Sequence, residues 1–198
     1  MRFSSREIKD LFYAGAIISL AFAILLIGGY NGLLEFDNSL IIAFVVAFFT
    51  AGIGFLLHEM MHKYYAQGYG LRAEFHAFYN MLWLALLFSL FGFIFAAPGA
   101  VFIQGRITRE RNGKISLAGP MTNIILAILF LIGLLAYGSE GILSFFFSVG
   151  LTINSLLGAF NMIPAMPFDG AKIIVWNKGV YYITLIVAVG LWILSMVV

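Results

Sequence analysis

The chain has 198 residues, of which 63% are hydrophobic and only 10% are charged, and its mean hydropathy is +1.03. A soluble protein of this length could not bury that much apolar surface, so the composition predicts an integral membrane protein whose surroundings are a lipid bilayer. The net charge of +2 argues against nucleic-acid binding. The absence of cysteine excludes disulfides and thiolate metal ligands, so any metal site must use histidine and carboxylate.

Apolar segments long enough to cross a bilayer recur along the chain. A further apolar stretch, residues 81–97, ends in Pro-Gly, and the β-branched residues 100–107 after it predict a short extended segment. The predicted fold class is an all-α polytopic membrane protein with five full spans, or six if 81–97 crosses. In the arrangement with five spans, a re-entrant stretch and a short β segment lie between the second helix and the next span. The five spans are 11–30, about 40–66, 115–137, 142–160 and 181–198.

The basic residues predict how the chain is oriented, because Lys and Arg concentrate in cytoplasmic loops. If 81–97 dips into the membrane and returns, all 11 basic residues lie on one side, whereas a full crossing divides them into five and six. The re-entrant arrangement is therefore favoured, with the amino end cytoplasmic, the carboxyl end outside and the turn 138–141 outside. The cytoplasmic set is Arg2, Arg6, Lys9, Lys63, Arg72, Arg106, Arg109, Arg111, Lys114, Lys172 and Lys178.

The second predicted helix carries the metal-binding pattern H-E-x-x-H at residues 58–62. On a helix, His58 and His62 project from one face, so both imidazoles can reach one metal ion. Glu59 lies beside the first of them, where it can hold a water at the metal. Two surface histidines capping a helix end are the alternative, which the apolar run before them disfavours.

A catalytic zinc site takes a third protein ligand. Glu74 and His76 are candidates near the histidines in sequence, whereas Asp169 follows a segment, 161–170, in which two prolines break the helix. In the re-entrant topology Asp169 lies on the same membrane side as the histidines, which favours it. The alternative is that Asp169 caps a helix and pairs with Lys172.

Three motifs make the chain resemble the site-2 protease family of intramembrane metalloproteases: HEMMH, LAGPMTN and NMIPAMPFDG, in the family's order across about residues 49–170. The resemblance implies a zinc endopeptidase with one zinc ion per chain that cuts transmembrane protein substrates within the bilayer, as in regulated intramembrane proteolysis. It also implies roles for five residues. His58, His62 and Asp169 would be metal ligands, Glu59 the catalytic base, and Asn161 the side chain near the scissile carbonyl.

No polar insert between the apolar runs is long enough for a soluble domain. We therefore expect one membrane domain over residues 1–198, with its core at about 40–175 and no soluble regulatory domain. We expect it in the cell membrane as a multi-pass protein, with the active site towards the cytoplasmic side.

Several alternatives stay open at this point. Asn123 ranks below Asn161 as an oxyanion donor, because a polar residue in a span is as often a contact between helices. Residues 100–107 are either a strand to which unwound substrate adds or a structural hairpin. Two histidines and a carboxylate also bind non-haem iron. A metal-binding membrane protein or divalent-ion transporter without peptidase activity is the alternative function.

Overall fold

The computed structural model describes residues 1–35, 37–94, 97–138 and 140–198. These residues form nine α-helices, one π-helical turn between the third and fourth helices, and two strands. In chain order they are α1 (Ser5–Leu26), α2 (Tyr30–Leu33), α3 (Ser39–Ala47), the π-turn (Phe48–Gly52), α4 (Ile53–Gly68), β1 (Arg72–Ala77), α5 (Tyr79–Leu90), β2 (Gly99–Gln104), α6 (Arg109–Tyr137), α7 (Gly141–Asn161), α8 (Asp169–Trp176) and α9 (Lys178–Leu194).

Four helical segments of the described chain are long and apolar enough to cross a membrane, which agrees with the predicted helical membrane class. Two more apolar helices, α5 and α9, are shorter than a typical span. The predicted fifth span, 181–198, corresponds to α9, so the number of full spans stays a prediction. The four long segments are Ser5–Leu26, Ser39–Gly68, Arg109–Tyr137 and Gly141–Asn161.

The predicted re-entrant stretch contains α5, which has 12 residues. At about 1.5 Å per residue this helix is about 18 Å long, short of the roughly 30 Å hydrocarbon core. Its length therefore favours a segment that enters and returns. Three predicted segments include residues outside the described ranges. These residues are Phe95 and Ala96 in the re-entrant stretch 81–97, Phe36 in the loop after the first span, and Ser139 in the outer turn.

The described chain divides into two compact units. One unit comprises Met1, Leu57–Ala73 and Ile103–Val198, and thus contains most of α4 and all of α6 to α9. Its apolar core consists of clusters such as Met162, Ile173 and Tyr181, which join the ends of α7, α8 and α9. The pairs α6–α7 and α6–α8 make its most extensive helix contacts. These helices carry the candidate site.

Glycines let α6 and α7 approach closely within this unit. A Cβ added at Gly133 would lie 2.3 Å from the Phe147 ring, and one at Gly150 would lie 2.3 Å from the Phe130 ring. Each glycine thus receives an aromatic ring from the facing helix. Small residues at such positions let membrane helices pack at short range, where buried polar side chains of the two helices can meet.

The other unit comprises Arg2–Leu56 and Glu74–Phe102. Here α1 packs against α3, the π-turn and α5, with Ala23, Ala43 and Ala47 buried together. Gly52 lies against the Ser19 hydroxyl, which donates to the Gly15 carbonyl. The contact requires a residue without a side chain, because a Cβ at Gly52 would lie 2.2 Å from the hydroxyl oxygen of Ser19.

The two strands pair in a small sheet. The Phe78 amide donates to the Pro98 carbonyl, and Gly105 lies beside Leu71, so the end of β1 meets the start of β2 and the pairing is antiparallel. The extended segment predicted at 100–107 corresponds to β2. Strand β1, at Arg72–Ala77, was not predicted from the sequence.

Carboxylates of α1 cover the backbone of β1. Glu7 accepts from the Phe75 amide at 2.9 Å, and Asp10 accepts from the Ala77 amide at 3.1 Å. The two acidic residues are three positions apart on one helix face and are buried. They satisfy alternate amides of the strand, as a neighbouring strand would.

Candidate metal centre

The centre lies on α4, within the unit that contains α6 to α9. Among the described residues, His58, Glu59 and His62 each offer one ligand atom, and these atoms lie within 4.8 Å of one another. Their exposures are 4%, 8% and 8%. The two imidazole rings are 4.7 Å apart between centroids, as expected for positions four apart on one helix face.

Asp169 meets both histidines. Its Oδ2 lies 3.3 Å from His58 Nε2 and 3.0 Å from His62 Nε2. Asp169 is buried, with 6% of its surface exposed. The other carboxylate oxygen, Oδ1, lies 3.3 Å from Lys172 Nζ. Asp169 therefore begins α8 and pairs with Lys172, as the alternative interpretation expected, and in addition points its second oxygen at the histidine pair.

The broken segment before α8 brings Asp169 to this position. A Cβ at Gly170 would lie 2.3 Å from the Met162 carbonyl oxygen, so the first turn of α8 packs directly on backbone at the end of α7. Only glycine allows that approach. The Asp-Gly pair thus combines a carboxylate with the absence of a side chain at the next position.

The two other candidates for the third ligand have partners in the other unit. The Ser4 hydroxyl donates to Glu74, and His76 Nδ1 lies 3.9 Å from Asp10 Oδ2. Both residues lie on β1. The contacts of these side chains favour Asp169 as the third ligand.

Each histidine is held through its Nδ1 atom. His58 Nδ1 lies 2.6 Å from Asn123 Oδ1, and His62 Nδ1 lies 2.8 Å from the Ile115 carbonyl oxygen. Both partners are acceptors, so each Nδ1 carries the proton and donates it. In the neutral ring with its proton on Nδ1, Nε2 is the unprotonated nitrogen. This is the tautomer that binds a metal, and Nε2 is the atom that lies nearest Asp169 in both histidines.

The donor set fits zinc on chemical grounds. Two imidazole nitrogens and one carboxylate oxygen are ligands that Zn²⁺ takes in catalytic sites, where a fourth position stays open. Hydrogen-bond acceptors behind the histidines are the usual outer support of such ligands. His58, His62 and Asp169 would hold the ion.

Gly119 keeps the space in front of the histidines open. A Cβ at this position would lie 2.4 Å from His58 Nε2 and 2.5 Å from His62 Nε2. Residues 115, 119 and 123 are four apart, so they share one face of α6, and all three contact the histidines. The motif LAGPMTN, residues 117–123, therefore supplies the space at Gly119 and the acceptor at Asn123, and the other acceptor, the Ile115 carbonyl, lies two residues before it.

The structure gives contacts for both asparagines that were considered as oxyanion donors, Asn161 and Asn123. The Asn161 side chain donates to the Leu157 carbonyl of its own helix at 2.9 Å, so its role beside a scissile carbonyl stays a prediction. The contact of Asn123 with His58 was not anticipated, since the sequence analysis weighed Asn123 only as an oxyanion donor or a contact between helices. The spacing of four shared with Ile115 and Gly119 was the available signal.

The Gly119→Ala variant tests the space between the imidazoles. Its methyl group would displace both rings, so we expect zinc affinity to fall by at least roughly tenfold, the lower range for disturbed metal surroundings. Chelator competition on the purified protein measures this. Gly158→Ala is the matched control, because its added Cβ meets other atoms only at an ordinary 3.7 Å. Equal zinc affinity in wild type and Gly119→Ala would contradict the described geometry.

Comparisons with known proteins place this centre in a family. The chain is 40% identical, over 92% of its length and 90% of the relative's, to a Methanocaldococcus jannaschii protein named "Putative zinc metalloprotease". It is 29% identical over 72% of its length to a second protein of that organism, named "Zinc metalloprotease", of which it covers 37%. It is 32% identical over 63% of its length to a Bacillus subtilis protein named "Putative zinc metalloprotease", of which it covers 65%.

No family model and no solved structure matches the chain. The zinc cofactor predicted from the sequence agrees with the relatives' names and with the His-Glu-His group of α4. Identity of 40% over nine-tenths of both chains, together with a buried donor set suited to zinc, leads to one conclusion: the chain is a membrane protein that belongs to the zinc metalloprotease family.

Proposed function

We propose that the chain is an intramembrane zinc metalloprotease of the site-2 type, which hydrolyses peptide bonds in transmembrane segments of membrane-protein substrates. The observation that carries the proposal is the meeting of Asp169 Oδ2 with Nε2 of His58 and His62. The histidines lie on a 30-residue helical segment whose apolar window is long enough to span a bilayer. A buried carboxylate on an apolar helix bundle marks a functional site by default.

The protein residues of the proposed site have separate tasks. His58, His62 and Asp169 hold the ion, and zinc, when bound, acts as a Lewis acid next to the reacting water and carbonyl. Lys172 pairs with Asp169 Oδ1, which leaves Oδ2 as the oxygen directed at the histidines. Gly119 leaves room for the reacting groups in front of both imidazoles.

Glu59 is the proposed general base. One of its carboxylate oxygens lies within 4.8 Å of the histidine ligand atoms, close enough to reach a water held between them and a substrate carbonyl. Its carboxylate accepts the proton of the attacking water and passes it to the leaving amide nitrogen. Asn161 remains the proposed oxyanion donor: its NH₂ group carries two hydrogens, and the bond to the Leu157 carbonyl uses one of them.

The surroundings of the site suit a substrate that is itself in the membrane. The histidines and Asp169 are at most 8% exposed, and four of the described helical segments are candidate spans. Amides of a transmembrane helix become accessible only after the helix unwinds, because all of its backbone groups are paired. The proposed substrate is therefore a transmembrane segment that unwinds locally near α4.

Two alternatives fit the described residues less well. Non-haem iron also binds two histidines and a carboxylate, but its chemistry has no need of the adjacent Glu59. A transporter places ligands near the membrane midplane, within structural repeats. The relatives are named zinc metalloproteases, and the chain retains a glutamate beside the first histidine, which supports a peptidase.

We further propose that the site opens towards the cytoplasm of the cell membrane, on the strength of the charge distribution. The lack of native cysteine permits single-site labelling. Glu140→Cys, within the predicted outer turn 138–141, should react with an impermeant maleimide added to whole cells. The matched variant Arg109→Cys should react only after permeabilisation. Labelling in the reverse pattern would contradict the orientation.

The ligand set predicts which substitutions remove zinc. His58→Ala, His62→Ala and Asp169→Ala each lose a donor, so we expect the metal content of the purified protein to drop well below one ion per chain. Glu74→Ala and His76→Ala are the matched controls and should keep their zinc. Elemental analysis of detergent-solubilised protein gives the answer. Retention of zinc by Asp169→Ala with its loss in either control would mean that the third ligand is wrong.

Glu59→Gln separates a peptidase from a metal-binding protein. Gln has nearly the same shape but cannot accept the proton, so zinc should stay bound while hydrolysis falls by ~10²–10⁴, the usual contribution of general acid–base catalysis. Single-turnover cleavage of a transmembrane substrate measures the loss, with zinc determined on the same samples. Cleavage at the wild-type rate would end the proposal that Glu59 is the base.

A further inference from the structure

We propose that Asn154 of α7 is a positioning residue for the metal centre, which acts through Asn123 of α6 to select the tautomer of His58. The inference deepens the proposed function and rests on it, since it assumes that His58 binds zinc. The effect of Asn154 passes through two hydrogen bonds.

The hydrogen bonds form a directed chain between buried side chains. Asn154 Nδ2 donates to the Gly150 carbonyl at 3.0 Å. Asn123 Nδ2 donates to Asn154 Oδ1 at 3.1 Å, and His58 Nδ1 donates to Asn123 Oδ1 at 2.6 Å. Both asparagines are 0% exposed. This series of hydrogen bonds therefore connects a backbone carbonyl of α7 to a proposed zinc ligand on α4.

The direction of this chain follows from its backbone end. A carbonyl only accepts, so Gly150 requires the NH₂ group of Asn154, and this turns Asn154 Oδ1 towards Asn123. That oxygen in turn requires the NH₂ group of Asn123. Asn123 is left with its oxygen towards His58, where only a protonated Nδ1 can pair with it. Each amide orientation determines the next.

The opposite orientation of Asn123 would harm metal binding. Its NH₂ group would then face His58 Nδ1 and favour the tautomer in which that nitrogen is the acceptor. The proton would sit on Nε2, the atom directed at Asp169, and a protonated nitrogen cannot bind a metal. Both asparagines are fully buried, so an unpaired donor or acceptor there is costly and the orientation of each amide matters.

Close packing of α6 and α7 makes this series of hydrogen bonds possible. Gly150, whose carbonyl anchors it, receives the Phe130 ring at a distance that no side chain at position 150 would allow. Asn154 lies one helical turn after Gly150, on the same face. It therefore meets α6 at the turn that carries Asn123, the residue against His58.

The rival explanation is that the asparagine pair only holds α6 and α7 together. The Asn123→Asp background separates the two explanations. Both oxygens of a carboxylate accept, so His58 Nδ1 keeps its partner whichever way the group turns, and no orienting residue is needed. A role of Asn154 that depends on the fit of its side chain between the helices would persist in that background, whereas a role in orienting Asn123 would vanish. The carboxylate also removes the donor to Asn154 Oδ1, so the unfolding temperature of each variant is measured to report the lost hydrogen bond between the helices separately from zinc affinity.

The experiment measures zinc affinity by chelator competition on the full-length, detergent-solubilised protein. We expect Asn154→Leu to weaken zinc binding by roughly 10–100-fold in the wild-type background, the usual range for lost outer support of a ligand. In the Asn123→Asp background the same substitution should change affinity by less than about threefold. Cobalt substitution adds a spectroscopic readout, because a misplaced His58 alters the visible spectrum of the bound ion.

Two further variants keep the test sound if Asn154→Leu disturbs folding. Asn154→Asp retains an acceptor towards Asn123 in either protonation state, so it should bind zinc about as well as wild type. Ser155→Ala is the matched control, because Ser155 is equally buried on α7 and its hydroxyl only bonds its own helix. It should leave zinc affinity unchanged.

The outcomes are distinct. Equal weakening by Asn154→Leu in both backgrounds, no weakening in the wild-type background, or tenfold weaker binding by Asn154→Asp would each overturn the inference. His58→Ala in the same series tests the proposed function beneath it. If His58→Ala keeps zinc, the proposed site is wrong. If it loses zinc while Asn154→Leu does not, only the positioning role fails.

Discussion

The meeting of two imidazole nitrogens with one carboxylate oxygen is the constraint on which the rest of this site depends. Asp169 is buried and charged, and a buried charge is tolerated only when it is paired. Its two oxygens are divided between the histidine pair and Lys172. Three features of the sequence allow this arrangement. The spacing of four puts both histidines on one face of α4, and the break before α8 brings Asp169 to them. The glycine after Asp169 lets α8 begin directly against the Met162 carbonyl.

The support of the two histidines comes from α6 at intervals of four residues. The Ile115 carbonyl and the Asn123 amide hold the Nδ1 atoms, and Gly119 between them leaves room at the Nε2 atoms. One face of one helix thus determines both the protonated nitrogen and the open side of each ring. This face of α6 adds no side chain to the proposed ligand set and orients two of its members, His58 and His62.

The histidine pair was predictable because its signal is local. The i, i+4 spacing of His58 and His62 follows from helix geometry alone, and the structure brings Asp169 to the histidines as the topology argument expected. The Asn123 contact was missed, because the spacing of four that Asn123 shares with Ile115 and Gly119 marks one face of α6 without saying that this face meets α4. Strand β1 was missed for a similar reason, since its outer amides are satisfied by Glu7 and Asp10 from a distant part of the chain.

The central claim is that one zinc ion binds to His58, His62 and Asp169, and anomalous diffraction at the zinc absorption edge tests it most directly. Crystals of the zinc-loaded protein should give a single strong peak between the Nε2 atoms of the two histidines and Oδ2 of Asp169. Glu59 should lie beside the peak without bonding to it. A peak at Glu74 or His76, or one that lacks Asp169 among its ligands, would contradict the account.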